Sequence, residues 1–136
     1  MTFQRPDFVK RCMTNWSGET SKVIIADGSE IGLDQKFLSS IKDNVEYHHL
    51  NNQGLLERCR FLADKTATKY SMLHGDDEFF LPSSLDSQIE FLENNEGFVS
   101  CTGQCLSFRP QAYALLSEIT YPELNGYEVS SRSPAE

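Results

Sequence analysis

No apolar run in this sequence approaches the roughly 20 residues that a membrane-spanning helix requires, and no signal-peptide pattern opens it. The expectation is a cytoplasmic protein with no transmembrane segment. Basic residues are scarce: 12 Lys and Arg stand against 20 Asp and Glu, a formal net charge of −8. Such a surface repels phosphate backbones and anionic lipid, so no nucleic-acid partner is expected. The glycine-rich phosphate loops Gly-x-x-x-x-Gly-Lys-Ser/Thr and Gly-x-Gly-x-x-Gly are both absent, which counts against the usual mononucleotide and dinucleotide binders. Cysteine is limited to Cys12, Cys59, Cys101 and Cys105, set in apolar segments. They read as buried thiols, since no second Cys/His pair at metal spacing accompanies Cys101 and Cys105.

What remains is a chain of 136 residues, 39% hydrophobic and 24% charged, enough for one domain with a real core. A single domain is expected over 1–129, with 130–136 as a disordered tail. Along the chain, Pro6 and Asp7 open a helix to Trp16, with Phe8, Val9, Cys12, Met13 and Trp16 on one face. Lys22 to Ala26 is the clearest strand, short, β-branched and ended by Asp27-Gly28-Ser29. A helix over Leu33 to Ile41, a strand over Val45 to His49 and a turn at Asn51 to Gly54 follow. The helix from Leu55 to Thr66 has an inner stripe of Leu55, Leu56, Cys59, Leu62, Ala63 and Thr66, with Arg58 outside it. Tyr70 to Leu73 reads as a third strand and Pro82 to Asn94 as a helix. Phe98 to Cys101 reads as a strand resumed at Cys105 to Phe108, and Pro110 to Ser117 as a helix. This alternation predicts an α/β fold with a mostly parallel sheet flanked by helices.

Asp76, Asp77 and Glu78 stand together at the carboxyl end of the expected third strand. Three adjacent carboxylates repel one another, so a fold that gathers them offsets the charge with a cation or with solvent. Strand carboxyl ends are where open parallel sheets bind ligands; a solvated acidic turn is the plainer alternative.

Three pieces in order, Thr2-Phe3-Gln4-Arg5-Pro6-Asp7-Phe8, Val23 to Ser29, and Gly75-Asp76-Asp77-Glu78-Phe79-Phe80-Leu81-Pro82, resemble the nucleotide-binding half of family-two-like glycosyltransferases. The resemblance covers about residues 2 to 108 and implies the GT-A fold, a Rossmann-like nucleotide-diphospho-sugar-binding architecture. It implies that Thr2 and Arg5 lie on a donor-contacting loop and that Asp27 hydrogen-bonds the base; an Asx turn before Gly28 is the plainer alternative for Asp27. It further implies that Arg58 approaches the diphosphate, that Asp76 faces the ribose, and that Asp77 ligates Mn²⁺ or Mg²⁺ in an Asp-x-Asp-like motif. Gln4 stands where the family usually has Asn, and Gly75 where the commonest acidic motif has its first Asp. Only Met1 precedes Thr2, so the first, central strand of that fold is missing; the implication is a truncated chain, a start site assigned too late, or a strand supplied by a partner. The acceptor half, which carries the general base, is not represented either, and no catalytic residue is assigned.

The function implied is metal-assisted transfer of a sugar from a nucleotide-diphosphate sugar, UDP-sugar favoured, to a hydroxyl of a carbohydrate or glycoconjugate acceptor. The alternative is a non-catalytic nucleotide-sugar-binding remnant lacking the acceptor half. A third reading is an unrelated α/β module that uses the acids for phosphoryl transfer or as a regulatory surface. An exposed gap in the sheet would favour oligomerisation.

Overall fold

The computed structural model describes residues 1–111 and 114–120. Its mixed α/β chain divides into two units, Met1–Phe80 and Leu81–Glu136; the expected tail over 130–136 lies outside the described residues.

In the first unit, helix α1 (Pro6–Trp16) starts where Pro6 fixes φ and Asp7 meets the positive end of the helix dipole. It ends where Ser17 N–H caps Met13 O. Val9, Cys12, Met13 and Trp16 are buried at i, i+3, i+4 and i+7 spacing. Phe8, expected on that face, is instead half-exposed beside two arginines. Strand β1 (Val23–Asp27) pairs in parallel with β2 (Val45–His49), Val23 opposite Val45 through Asp27 opposite His49. Between them the expected helix shrinks to one turn, α2 (Gln35–Leu38), whose N-cap Asp34 accepts from Phe37 N–H at 2.8 Å.

Helix α3 (Leu55–Lys65) is started by a capping interaction, Gly54 N–H donating to Glu57 Oε2 at 2.5 Å. Its inner face is not the expected one. Leu55 and Leu56 are exposed, and the buried residue is Arg58. The guanidinium donates to the carbonyls of Thr2 and of the N-cap residue Gly54.

Residues 70–73 run without a ladder partner among the described residues, so the expected third strand does not form. The apolar core of the described residues (Val9, Cys12, Met13, Trp16, Ile25, Ala26 and Val45) lies wholly within this unit.

In the second unit, α4 (Pro82–Asn94) begins at Pro82, as the sequence leads one to expect. Phe98 to Cys101 is not a strand. Strand β3 (Cys105–Gln111) pairs antiparallel with β4 (Ala114–Thr120), Cys105 opposite Thr120. The helix expected over Pro110 to Ser117 is therefore corrected to a hairpin. An eight-residue helix is marginal alone, whereas each strand here gains a full ladder of backbone bonds. Pro110 is tolerated because both strands of a two-stranded sheet are edges. All four cysteines are free, and Cys105 is exposed rather than buried.

Candidate functional site

The N-terminal loop is tied to the carboxyl end of β1. Thr2 N–H donates to Ala26 O at 3.2 Å and Gly28 N–H donates to Thr2 O at 3.2 Å, a single parallel bridge opposite Asp27. Gln4 then turns through the left-handed region at φ 55°, its N–H on Ser29 Oγ at 2.8 Å. Asn tolerates that conformation better than Gln. The turn directs Arg5 back over the acids.

Four of the six residues singled out from the sequence meet here. Buried Thr2 donates its hydroxyl to Asp76 Oδ2 at 2.5 Å. Arg5 forks across both aspartates, Nη1 to Asp76 Oδ1 at 2.9 Å and Nη2 to Asp77 Oδ2 at 3.0 Å. The cation that the acidic run calls for is thus a guanidinium from the chain itself. Its hydrogen bond holds the Asp77 carboxyl below the usual carboxylate range, and Asp77 in turn raises Arg5. Asp76 is buried, whereas the Asp77 side chain is 52% exposed.

Arg11, one helical turn along, stacks its guanidinium 4.8 Å from the Phe8 ring and 4.7 Å from the Phe79 ring, and donates to Asp76 O at 3.4 Å. Arg5 lies 4.1 Å over the other side of the same arrangement, on Phe8. Arg11 is a site residue the sequence reading missed. Its signal was the spacing Arg5, Phe8, Arg11, which aligns on one helix side.

Arg58 joins the network from α3, Nη1 donating to Thr2 O at 2.5 Å and Nε to Gly54 O at 3.4 Å. It is 6% exposed, and among the described residues no carboxylate lies within ion-pair distance of it. A buried cation with only carbonyl partners favours an anion beside it. Gly28 makes room for this side chain: a Cβ there would meet Arg58 Nε at 2.8 Å and Cζ at 2.9 Å.

Asp27 is 1% exposed and already engaged. Its Oδ1 accepts from Ser29 N–H at 2.9 Å and from Ser29 Oγ at 2.5 Å, and its Oδ2 accepts from the Tyr47 hydroxyl at 2.5 Å. Tyr47 in turn accepts from Leu33 N–H at 3.0 Å. Burial, then the Asp27 bond, pushes the Tyr47 phenol above its ordinary range. A base N–H would have to displace one of these donors to reach Asp27. Ser29 meets Asp27 locally, in the turn that ends β1, whereas Tyr47 gave no motif signal because its role depends on β1 and β2 lying side by side.

The described residues contain no group of three His, Cys, Asp or Glu side chains able to hold a metal ion. Both Asp76 oxygens are taken by Thr2 and Arg5, and Asp77 gives one of its two to Arg5. One accessible carboxylate suits a hard divalent cation only where phosphate oxygens complete the shell. On that condition the residues fit such an ion at Asp77.

No family model, no curated protein and no solved structure matches this chain. Among the described residues no helix is long and apolar enough to cross a membrane.

Proposed function

We propose that Met1–Phe80 is the donor-binding part of a glycosyltransferase that uses a nucleotide-diphosphate sugar, with UDP-sugar favoured and a carbohydrate or glycoconjugate hydroxyl as acceptor. The observation that carries this reading is the convergence of Thr2, Arg5, Arg58, Asp76 and Asp77 in one hydrogen-bonded network at the end of β1. They come from three segments far apart in the sequence, around residues 2–5, 58 and 76–77.

In this reading Arg58 supplies the buried positive charge for the diphosphate, and Asp76 is held by Thr2 for the ribose. Arg5 shields the two aspartates from each other until a ligand arrives, then turns towards its phosphates. Mn²⁺ or Mg²⁺, held by Asp77 and phosphate oxygens, would offset charge on the departing diphosphate. A second reading, nucleotide-sugar binding without turnover, is favoured by the Arg5 fork, which neutralises the acids without any ligand.

The test is calorimetric titration of the chain with UDP, with and without Mn²⁺, beside Asp77→Ala. Binding that strengthens with Mn²⁺ in the parent, and loses that dependence in the variant, is expected. A folded protein that ignores UDP under both conditions would defeat the donor-site reading. Hydrolysis of a UDP-sugar in the same sample separates turnover from binding alone.

A further inference from the structure

Arg5, Arg11 and Arg58 all take part in the network at the end of β1, but they are held differently. Arg5 is engaged by Asp76 and Asp77, and Arg58 lies buried against the carbonyls of Thr2 and Gly54. Arg11 is exposed, and its one hydrogen bond among the described residues is the 3.4 Å contact from Nη2 to Asp76 O. Among the described residues no carboxylate lies within ion-pair distance of it. The acids of the same turn have other partners: Asp77 gives Oδ2 to Arg5, and Glu78 Oε2 accepts from Gly75 N–H at 2.6 Å.

Arg11 is nevertheless held in place. Its Cζ lies 4.8 Å from the centre of the Phe8 ring and 4.7 Å from that of the Phe79 ring. A guanidinium lying over aromatic rings keeps its N–H edges directed outward, and such an edge matches a planar carboxylate with two parallel bonds. A side chain ordered in advance also loses less entropy when a ligand arrives.

The place of Arg11 in the network fixes which part of a donor it meets. Arg58 bonds Thr2 O, the Thr2 hydroxyl bonds Asp76, and Arg11 bonds the Asp76 backbone. Arg11 and Arg58 therefore stand at opposite ends of one chain of contacts. Arg11 is also close enough to Asp77 to add to the lowering of its carboxyl, which the Arg5 bond dominates. With the diphosphate at Arg58 and a metal at Asp77, the group beyond the metal is the transferred sugar.

We propose that Arg11 selects that sugar by binding a carboxylate on it, so that the donor is a nucleotide-diphosphate uronic acid rather than a neutral hexose. This rests on the donor-site reading and deepens it by naming the sugar class. The formal charge of −8 repels a more anionic ligand, so a preference for the uronic acid needs a local cation. Arg11 is the arginine beside Asp77 that no carboxylate of the described residues already holds.

The experiment is calorimetric titration of the full chain with UDP, UDP-glucose and UDP-glucuronate in Mn²⁺, beside Arg11→Met. The methionine keeps an apolar stem against Phe8 and Phe79 and removes the charge. In the parent, UDP-glucuronate is expected to bind about tenfold tighter than UDP-glucose, the size of one charge-assisted bond. In Arg11→Met that preference is expected to disappear. Equal affinities for the two sugars in the parent overturn the proposal. So does a preference that survives in the variant, including one carried through an equal weakening of all three ligands, which assigns Arg11 to the diphosphate or to the fold. A parent that ignores UDP itself defeats the donor-site reading and this inference with it.

Discussion

Tyr47 and Asp27 share a hydrogen bond at the carboxyl end of β1, and it carries a pH dependence. The folded phenol titrates above its unfolded value, so its stabilising contribution is complete below about pH 10 and is lost as pH rises beyond it. Tyr47→Phe removes both the donor to Asp27 and the acceptor for Leu33 N–H. It is expected to lower stability at pH 7 by about 1.5–3 kcal/mol, the range for a bond to a charged group. It is also expected to flatten the alkaline limb relative to the parent. Urea denaturation at pH 7 and at pH 10.5 or so checks both. An unchanged alkaline slope would place the titrating group elsewhere. At this scale charge alone marks the three adjacent acids at 76–78, whereas Arg5 and Arg58 are marked only by the family resemblance. The sequence was silent about Tyr47, which acts only through a carboxylate brought to it by the pairing of β1 with β2.

The turn that ends β1 is short because Asp27, Gly28 and Ser29 each have a separate task. Asp27 anchors the turn, Ser29 caps it and receives Gln4, and Gly28 leaves space for Arg58. Gly28→Ala would drive a methyl group into a guanidinium held by two carbonyls. The expected loss is about 1–3 kcal/mol, the usual cost of overpacking. If Met1–Phe80 binds a donor nucleotide as proposed, release of Arg58 from Thr2 weakens UDP binding in the same variant. Thermal melts and the calorimetric titration read the two effects separately. An Ala variant as stable as the parent would mean that the arginine relocates freely. Elements with strong local signals formed as their sequences suggest: Pro6 starts α1, Pro82 starts α4, and the β-branched run makes β1. Residues 70–73 have the composition of a strand and find no ladder partner among the described residues. Residues 110–117 have helical spacing, yet a partner strand within reach outcompetes a short helix.

Across the whole chain the buried apolar side chains of the described residues are concentrated in Met1–Phe80. The chain has one tryptophan, Trp16, 2% exposed in that core. Stability is therefore expected to be uneven. In urea, far-UV circular dichroism should lose signal in an early step from Leu81–Glu136 before Trp16 fluorescence changes. Coincident transitions by both probes would instead mean one cooperative molecule.

By itself the sequence determined where the helices and strands with local start signals begin, most of the buried face of α1, and the run of three acids that asks for a cation. Those are consequences of side-chain periodicity, proline geometry and charge, all of which act over a few residues. Only the tertiary structure decided that Arg5 rather than solvent neutralises Asp76 and Asp77, that Arg58 turns inward ahead of two leucines, and that the second oxygen of Asp27 is taken by Tyr47. Each depends on segments 20 to 75 or so residues apart coming within hydrogen-bond reach, where desolvation makes every unpaired polar group find a partner.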